Sequence, residues 1–170
     1  MKYTTTLNMK RKINKIVLHC EATPEGEEFS DESVNLSHKQ RKFTPYIKDG
    51  KKYYIGYHYI IHLDGSVHAC RPEEVIGCHA SGHNKDSIGI SYVGGCPPRS
   101  DKNWMKKGKD TRTPAQRFAL FKLVYELLDK YNLTVNDVYG HCELANKACP
   151  SFDMHKFRDE LRQFIKKRKQ

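Results

Sequence analysis

The sequence lacks any long run of apolar residues. None of its 170 residues lies in a stretch approaching the ~20 apolar residues that a membrane-spanning helix needs. Its first residues, MKYTTTLNMKRKINKIVLHC, contain no apolar segment of the length found in a signal peptide. We therefore expect a protein that is synthesised in the cytoplasm, does not use a membrane, and needs another factor for its release if it acts outside the cell.

Closely spaced cysteine pairs are also missing. The chain has six cysteines but no Cys-x-x-Cys motif, which argues against a zinc ribbon or a zinc finger. In a chain made in the cytoplasm we expect these cysteines to be thiols, or in part metal ligands, rather than three disulfides.

Internal repeats and long linkers are absent as well. A chain of this length without them is most simply one domain. We expect a basic lead-in over residues 1–12 and a single folded domain over residues 13–167.

Acidic residues are too few to balance the basic ones. The chain has 30 Lys and Arg against 20 Asp and Glu, a formal charge of +10. This balance favours an anionic partner such as nucleic acid, a membrane surface or a cell-wall polymer. Since no RNP, KH or zinc-finger pattern accompanies the charge, we expect no specific nucleic acid partner.

Hydrophobic patterns predict an α+β (mixed α/β) fold, with a central mixed β-sheet flanked by helices. Strands are predicted at 13–20, 87–95 and 137–141, and hairpins at 43–54 and 55–70, each with an Asp-Gly turn. Helices are predicted after Ser30, over 113–132 with Thr113 as N-cap, and over 151–167 with Ser151 as N-cap. The middle helix has a stripe that we expect to face the core: Phe118, Phe121, Tyr125, Leu128 and Tyr131.

The stretch GHCELANKACPSF, residues 140–152, contains candidate metal ligands. Its His141 and Cys149 are eight residues apart with no second close pair, whereas a structural zinc site has four protein ligands. A catalytic zinc needs only three, and His19 at the end of the first predicted strand is the best candidate for the third. Because adjacent side chains of a strand point to opposite faces, Cys20 is expected to point away from the site.

Several separated motifs resemble one known family. IVLHCEATPEG, IGYHYIIHLDGSVHACRPEEVIGCHASGHNKDSIGISYVGG and GHCELANKACPSFD resemble, in order and spacing, zinc-dependent N-acetylmuramoyl-L-alanine amidases of the phage-lysozyme type. That family lies in the superfamily of peptidoglycan recognition proteins, and the resemblance covers residues 13–158. It implies a bound Zn²⁺, peptidoglycan as the partner, and cleavage of the amide between the lactyl group of N-acetylmuramic acid and L-alanine.

The resemblance also implies roles for individual residues. It implies zinc ligands at His19, His141 and Cys149, in agreement with the choice from spacing. It implies catalytic roles for Tyr57, in the GYH motif, and for Lys147, two residues before the cysteine ligand.

Other parts of the sequence have weaker or no counterparts in the family. The resemblance implies that the loop containing His79 and Asn84 borders the substrate groove, with both residues binding substrate, whereas the segment 43–54 is longer than in simpler members. A disulfide between Cys70 and Cys78 is conceivable outside the cell. The remaining histidines are interpreted as structural or surface residues: His58, His62, His68, His83 and His155.

Three functions fit this sequence. The leading one is a phage or prophage endolysin, expected to be a monomer whose basic surface binds the cell wall. A cytosolic amidase that recycles muropeptides fits the missing signal peptide, but that branch resembles a set with aspartate in place of the cysteine ligand and glutamate in place of the tyrosine. A non-catalytic recognition module would typically lose the cysteine ligand, which is present here as Cys149.

Overall fold

A computed structural model describes residues 11–170, so most of the basic lead-in predicted over residues 1–12 lies outside the described residues. The described chain forms these strands and helices in order: β1 Lys15–Cys20, β2 Thr23–Pro24, α1 Asp31–Gln40, β3 Tyr46–Lys48, β4 Lys51–Tyr53, β5 Tyr59–Ile61, β6 Val67–Ala69, β7 Ser87–Tyr92, β8 Gly95–Cys96, α2 Pro114–Tyr131, β9 Val138–Gly140 and α3 Met154–Arg168. Single 3₁₀ turns occur at Trp104–Lys106, Val135–Asp137 and His141–Glu143.

The central sheet is mixed, as predicted. Its strand order is β6-β5-β7-β1-β9, in which β5, β7, β1 and β9 run parallel and β6 pairs antiparallel with β5. Parallel strands end at the same edge of a sheet, and ligand sites of open sheets are commonly built beyond that edge. The last residues of β1 and the residue after β9 meet there.

The two faces of β1 are buried against different partners. Ile16, Leu18 and Cys20 belong to the main core together with the buried residues of α2 and α3. Side chains alternate along a strand, so His19 points to the opposite face from Cys20, which lies on the core side with Ile16 and Leu18 as predicted. The thiol of Cys20 nevertheless contacts Cys149, so Cys20 does not lie wholly away from the site. On that opposite face, Ile60 and Val93 pack with Val34 of α1 in a smaller core.

The helix α2 begins as predicted, but the set of side chains that it buries only partly matches the predicted stripe. Thr113 is its N-cap and forms a capping box with Gln116. The predicted stripe is partly right: Leu128 is buried and Phe121 and Tyr131 pack against the core, whereas Phe118 is 56% exposed. The fully buried apolar side chains of α2 are mostly aliphatic ones outside the stripe: Leu120, Leu123, Val124 and Leu127.

Two aromatic residues of α2 stack against α3. Phe121 stacks on Phe157 with ring centroids 5.1 Å apart and on Phe164 at 5.6 Å, and Phe118 meets Phe164 edge to face at 6.1 Å. Helix α3 therefore covers the side of α2 on which these two phenylalanines lie.

The helix α3 begins later than predicted. Its N-cap is Asp153, whose carboxylate accepts a hydrogen bond from the backbone N–H of Lys156 at 2.9 Å. Ser151 has a φ of 68°, outside the extended conformation that an N-cap residue takes. The prediction of Ser151 as N-cap is therefore wrong.

The remaining local predictions agree with the structure, apart from one missed pairing. Both predicted hairpins form, as β3–β4 and β5–β6, and Ser30 caps α1. The short parallel pair β2–β8 was not predicted. All six cysteines lie in the described part of the chain and carry free thiols, so Cys70 and Cys78 are not bridged. Among the helices of residues 11–170, none is both long and apolar enough to cross a bilayer.

Candidate metal centre

The sheet brings His19, His141 and Cys149 to one point. His19 is near the end of β1, 2% exposed, and His141 directly follows β9, the neighbour of β1 in the sheet. Cys149 lies in the segment between β9 and α3, which folds back to the same edge of the sheet. One ligand atom from each of the three side chains lies within 4.8 Å of the others. The set that the spacing predicted is thus assembled in space.

The donor atoms of this set face one another. The Sγ atom of Cys149 lies 3.6 Å from Nδ1 of His19 and accepts a hydrogen bond from the backbone N–H of Cys20 at 3.2 Å. The rings of His19 and His141 have centroids 4.6 Å apart. Two imidazoles and a sulfur at this spacing are a donor set that suits a tetrahedral zinc ion.

Burial keeps the two imidazoles neutral. Desolvation, followed by the neighbouring His79 and His141, holds the pKa of His19 well below its usual value. Desolvation and then the Lys147 ammonium lower the pKa of His141. A histidine binds a metal only in its neutral form, so both rings have a lone pair free for an ion at neutral pH.

The thiol of Cys149, unlike the two imidazoles, is held in the protonated form, which does not bind a metal. A hydrogen bond with the Cys20 thiol and burial raise the pKa of Cys149. A coordinated cation reverses this preference, because a coordinating thiol is deprotonated outright. The site therefore has a sulfur ligand whose charged form depends on a bound cation.

Tyr57 borders the same centre. Its side chain is 8% exposed, and its ring centroid lies 5.0 Å from that of His19. On its other side, its ring meets that of His38 in α1 at 5.2 Å. Burial, followed by the charge of Glu21, raises the pKa of Tyr57 well above its ordinary value.

Lys147 is exposed at the rim of the centre. It lines a pocket of about 220 Å³ together with His141 and the loop at His79 and Ser81. Its charge contributes to the lowered pKa of His141, as given above. A cationic group therefore lies at the mouth of the pocket beside His141.

His79 lines the pocket at Lys147 and also contacts a candidate ligand. It is 8% exposed, and its Nδ1 is 2.9 Å from Nε2 of His19, on the side of that ring away from Cys149. Asn84 does not touch His19; its Oδ1 accepts hydrogen bonds from the backbone N–H groups of His79 and Ala80, both at 2.8 Å. The loop thus places His79 behind a candidate ligand, a contact for which the sequence contained no signal.

Glu21 is a further residue at the centre that was not predicted. Its Oε1 is buried with no hydrogen-bond partner among the described residues, and burial raises the pKa of its carboxyl group to about 7. An acidic residue two positions after His19 in LHCE was the only available signal.

The sheet, with this centre at its edge, defines an amidase or peptidoglycan-recognition class of protein. The N-acetylmuramoyl-L-alanine amidase LysC from Clostridium intestinale URNW has a TM-score of 0.69 and 28% sequence identity, covering 95% of both chains. Drosophila PGRP-LB, at 18% identity and a TM-score of 0.61 over 85% of this chain and 78% of its own, shares the fold.

Sequence comparison identifies the family. A profile described as N-acetylmuramoyl-L-alanine amidase matches residues 9–152. The endolysin of Escherichia phage T7 is 35% identical over 150 residues, which cover 87% of each chain. The chain therefore belongs to the N-acetylmuramoyl-L-alanine amidase family, and the resemblance drawn from its motifs is confirmed.

Proposed function

We propose that this chain is a zinc-dependent endolysin, which hydrolyses the amide bond between the lactyl group of N-acetylmuramic acid and the L-alanine of peptidoglycan. The observation that carries the proposal is the meeting of His19, His141 and Cys149 beside Tyr57 in a chain of the amidase family. Its similarity to phage endolysins over 87% of their length supports action on the cell wall after release.

The three candidate ligands suit zinc better than other common divalent ions. Neutral nitrogen and thiolate ligands favour zinc, whereas Mg²⁺ and Ca²⁺ prefer oxygen ligands. Three protein ligands are also the number found in catalytic zinc sites, which keep one position open. Bound there, the ion would supply a Lewis acid that polarises the amide carbonyl and lowers the pKa of water toward ~7.

His79 and Asn84 support the ligands in this proposal. With Nδ1 of His19 directed at Cys149, its Nε2–H is free to donate to Nδ1 of His79. A hydrogen bond of this kind fixes the tautomer and the orientation of a ligating imidazole. Asn84 acts one step further away, by holding the backbone of the loop that presents His79. Both are thus positioning residues rather than substrate-binding ones.

Tyr57 and Lys147 act on the reacting groups. Burial raises the pKa of Tyr57 well above the ordinary tyrosine value near 10, so Tyr57 keeps its proton at neutral pH and acts as a hydrogen-bonding group that orients the attacking water or the scissile amide. The ammonium group of Lys147, at the rim of the pocket, stabilises the negative charge that develops on the carbonyl oxygen as the tetrahedral intermediate forms.

Mass spectrometry of purified peptidoglycan after digestion tests this function. We expect released stem peptides with a free L-alanine amino group and glycan strands without new reducing ends. Cys149→Ser is expected to release almost nothing, and Cys142→Ser, which changes an exposed thiol nearby, is the matched control. New reducing ends would indicate a glycosidase, and binding without any product would indicate a recognition module.

A further inference from the structure

A second group of histidine and carboxylate side chains lies outside the candidate metal centre. It consists of Asp31, His62 and His68, and one donor atom from each lies within 4.8 Å of the others. None of the three contacts His19, His141 or Cys149 through a hydrogen bond of the described structure. Both histidines are among those for which the sequence alone predicts a structural or surface role.

The register of the β5–β6 hairpin explains why the two histidines meet. His68 pairs directly with Ile60, and His62 follows Ile60 by two residues, so both point to the same face of the sheet. Their rings have centroids 4.0 Å apart. The helix α1 covers that face, and its first residue is Asp31.

The donor atoms of this cluster lie close together. Nε2 of His62 is 3.0 Å from one oxygen of Asp31, and Nδ1 of His68 is 2.8 Å from the other. One donor atom from each side chain lies within 4.8 Å of the others, whereas bonds of ~2.0–2.1 Å in a tetrahedral zinc site place neighbouring donor atoms about 3.3 Å apart. An ion would therefore require these side chains to adjust until three donor atoms converge on it.

Glu28 orients His62 in the way that a ligating histidine is usually oriented. Its Oε1 lies 2.8 Å from Nδ1 of His62, and its Oε2 accepts a hydrogen bond from the backbone N–H of Leu63 at 3.0 Å. In this structure both ring nitrogens of His62 face carboxylate oxygens and donate to them. Burial lowers the pKa of His62, but the hydrogen bonds to Glu28 and Asp31 outweigh it and raise the pKa. An ion would replace the Nε2 proton, while the Nδ1–H stays donated to Glu28. A carboxylate behind the ring is the common outer partner of a metal-binding histidine.

The site is open on one side only. The side chain of His62 is 8% exposed, whereas those of Asp31 and His68 are 34% and 43% exposed. An ion can reach the donors from solvent, and water can complete its coordination. The carboxylates of Glu28 and Asp31 provide negative charge that would offset the charge of a divalent ion.

We propose that Asp31, His62 and His68 bind a second divalent transition-metal ion of the zinc type, with Glu28 orienting His62. The ion joins the start of α1 to the β5–β6 hairpin. The same helix carries His38, whose ring packs on Tyr57, so the ion also stabilises one wall of the candidate metal centre. Its role is structural, because no group of the proposed hydrolytic machinery contacts it.

Zinc stoichiometry tests the proposal directly. Protein without an affinity tag is dialysed against a series of buffered free Zn²⁺ concentrations, and bound zinc is measured by inductively coupled plasma mass spectrometry. We expect two equivalents for the unmodified chain, one for His68→Ala, and two for the control His155→Ala, which changes an exposed histidine elsewhere. Equal saturation stoichiometry for the unmodified chain and His68→Ala would overturn the proposal.

A stability measurement removes the contribution of the first centre. In a His141→Ala/Cys149→Ser background, Zn²⁺ at 100 times its Kd is expected to raise Tm by roughly 5–10 °C. Adding His68→Ala to that background is expected to abolish the rise, while amidase activity of the single variant His68→Ala at saturating Zn²⁺ stays near normal. If Zn²⁺ does not raise the Tm of the double variant, or raises the Tm of the double and the triple variant equally, the cluster is an ion-pair network only.

Discussion

Lys147 offers a test of how a single charge contributes to hydrolysis. In the proposed function its ammonium group acts on negative charge that exists in the tetrahedral intermediate and largely not in the substrate. Lys147→Ala is therefore expected to lower kcat by ~10² or more with little change in KM, because only stabilisation of the transition state is lost.

The same preparation provides the control for this variant. A protonated lysine cannot be a metal ligand, so Lys147→Ala is expected to keep its full zinc content and near-normal wall binding. Loss of bound zinc, or a kcat equal to that of the unmodified chain, would remove Lys147 from the mechanism.

Two cysteines of the same segment, Cys142 and Cys149, allow a second comparison of single residues. Cys149 faces the imidazole of His19 at 3.6 Å, whereas Cys142 is exposed. Cys149→Ser is expected to lose most zinc from the first centre and nearly all activity, because a neutral hydroxyl replaces a thiolate ligand. Cys142→Ser is expected to be mild. Similar zinc contents in the two purified variants would contradict the proposed ligand set.

The helix α2 stabilises the domain through its aliphatic face. Leu120 is 2% exposed, whereas Phe118, two residues earlier, is 56% exposed. Leu120→Ala is expected to lower the free energy of unfolding by about 3 kcal/mol, since it removes buried methyl groups and leaves a cavity. Phe118→Ala is expected to cost less than about 1 kcal/mol. Urea denaturation of both variants measures the difference, and a larger loss for Phe118→Ala would mean that the aromatic stripe carries the core.

Two buried histidines beside β5 and α1 make stability depend on pH. Nδ1 of His58 accepts the backbone N–H of Gly89, and Nδ1 of His38 accepts that of Gly56, both at 3.0 Å. These bonds require neutral rings. Burial lowers the pKa of each histidine to about 4. At His38, the charges of Arg41 and Arg71 add to this effect. At His58, a hydrogen bond to the Val75 carbonyl opposes the shift, while the charges of Arg11 and Arg71 add to it.

The unfolded chain takes up these protons at a higher pH than the folded chain. Between about pH 6.5 and pH 4 the unfolded state binds more protons, so stability falls as the pH is lowered through that window, by at most roughly 3 kcal/mol for His58. His58→Gln is expected to be less stable at pH 7 but to show a smaller fall in urea midpoint on acidification. A pH dependence unchanged from that of the unmodified chain would contradict this explanation.

The net charge of the molecule predicts how it is held on its substrate. A charge of +10, including Lys166, Lys167 and Arg168 in the last turn of α3, favours anionic wall polymers. Sedimentation with purified cell walls is expected to fall steeply between ~50 and ~300 mM salt, as the Debye length shortens toward ~6 Å. Binding that does not change with salt would indicate recognition by specific contacts in the groove instead.

Local sequence determined much of this protein. Both Asp-Gly hairpins, the capping of α1 by Ser30 and the Thr113 cap of α2 follow from side chains that bond within a few residues of themselves. Strand alternation was enough to separate His19 from Cys20. The spacing of His141 and Cys149 was enough to favour an open three-ligand site over a closed structural one. A closed site needs four protein ligands, and the sequence offers no second close pair to supply them.

Only the tertiary structure decided which distant groups meet. Phe118 and Phe121 of α2 meet aromatic residues of α3, a contact between two helices that no helical period can show. His79 reaches the far side of the His19 ring across 60 residues, and Asp31 reaches His62 and His68 from another element. Such contacts arise from strand order, hairpin register and helix placement together. Each of these is set by the free energy of packing the whole core, so local patterns in the sequence could not predict them.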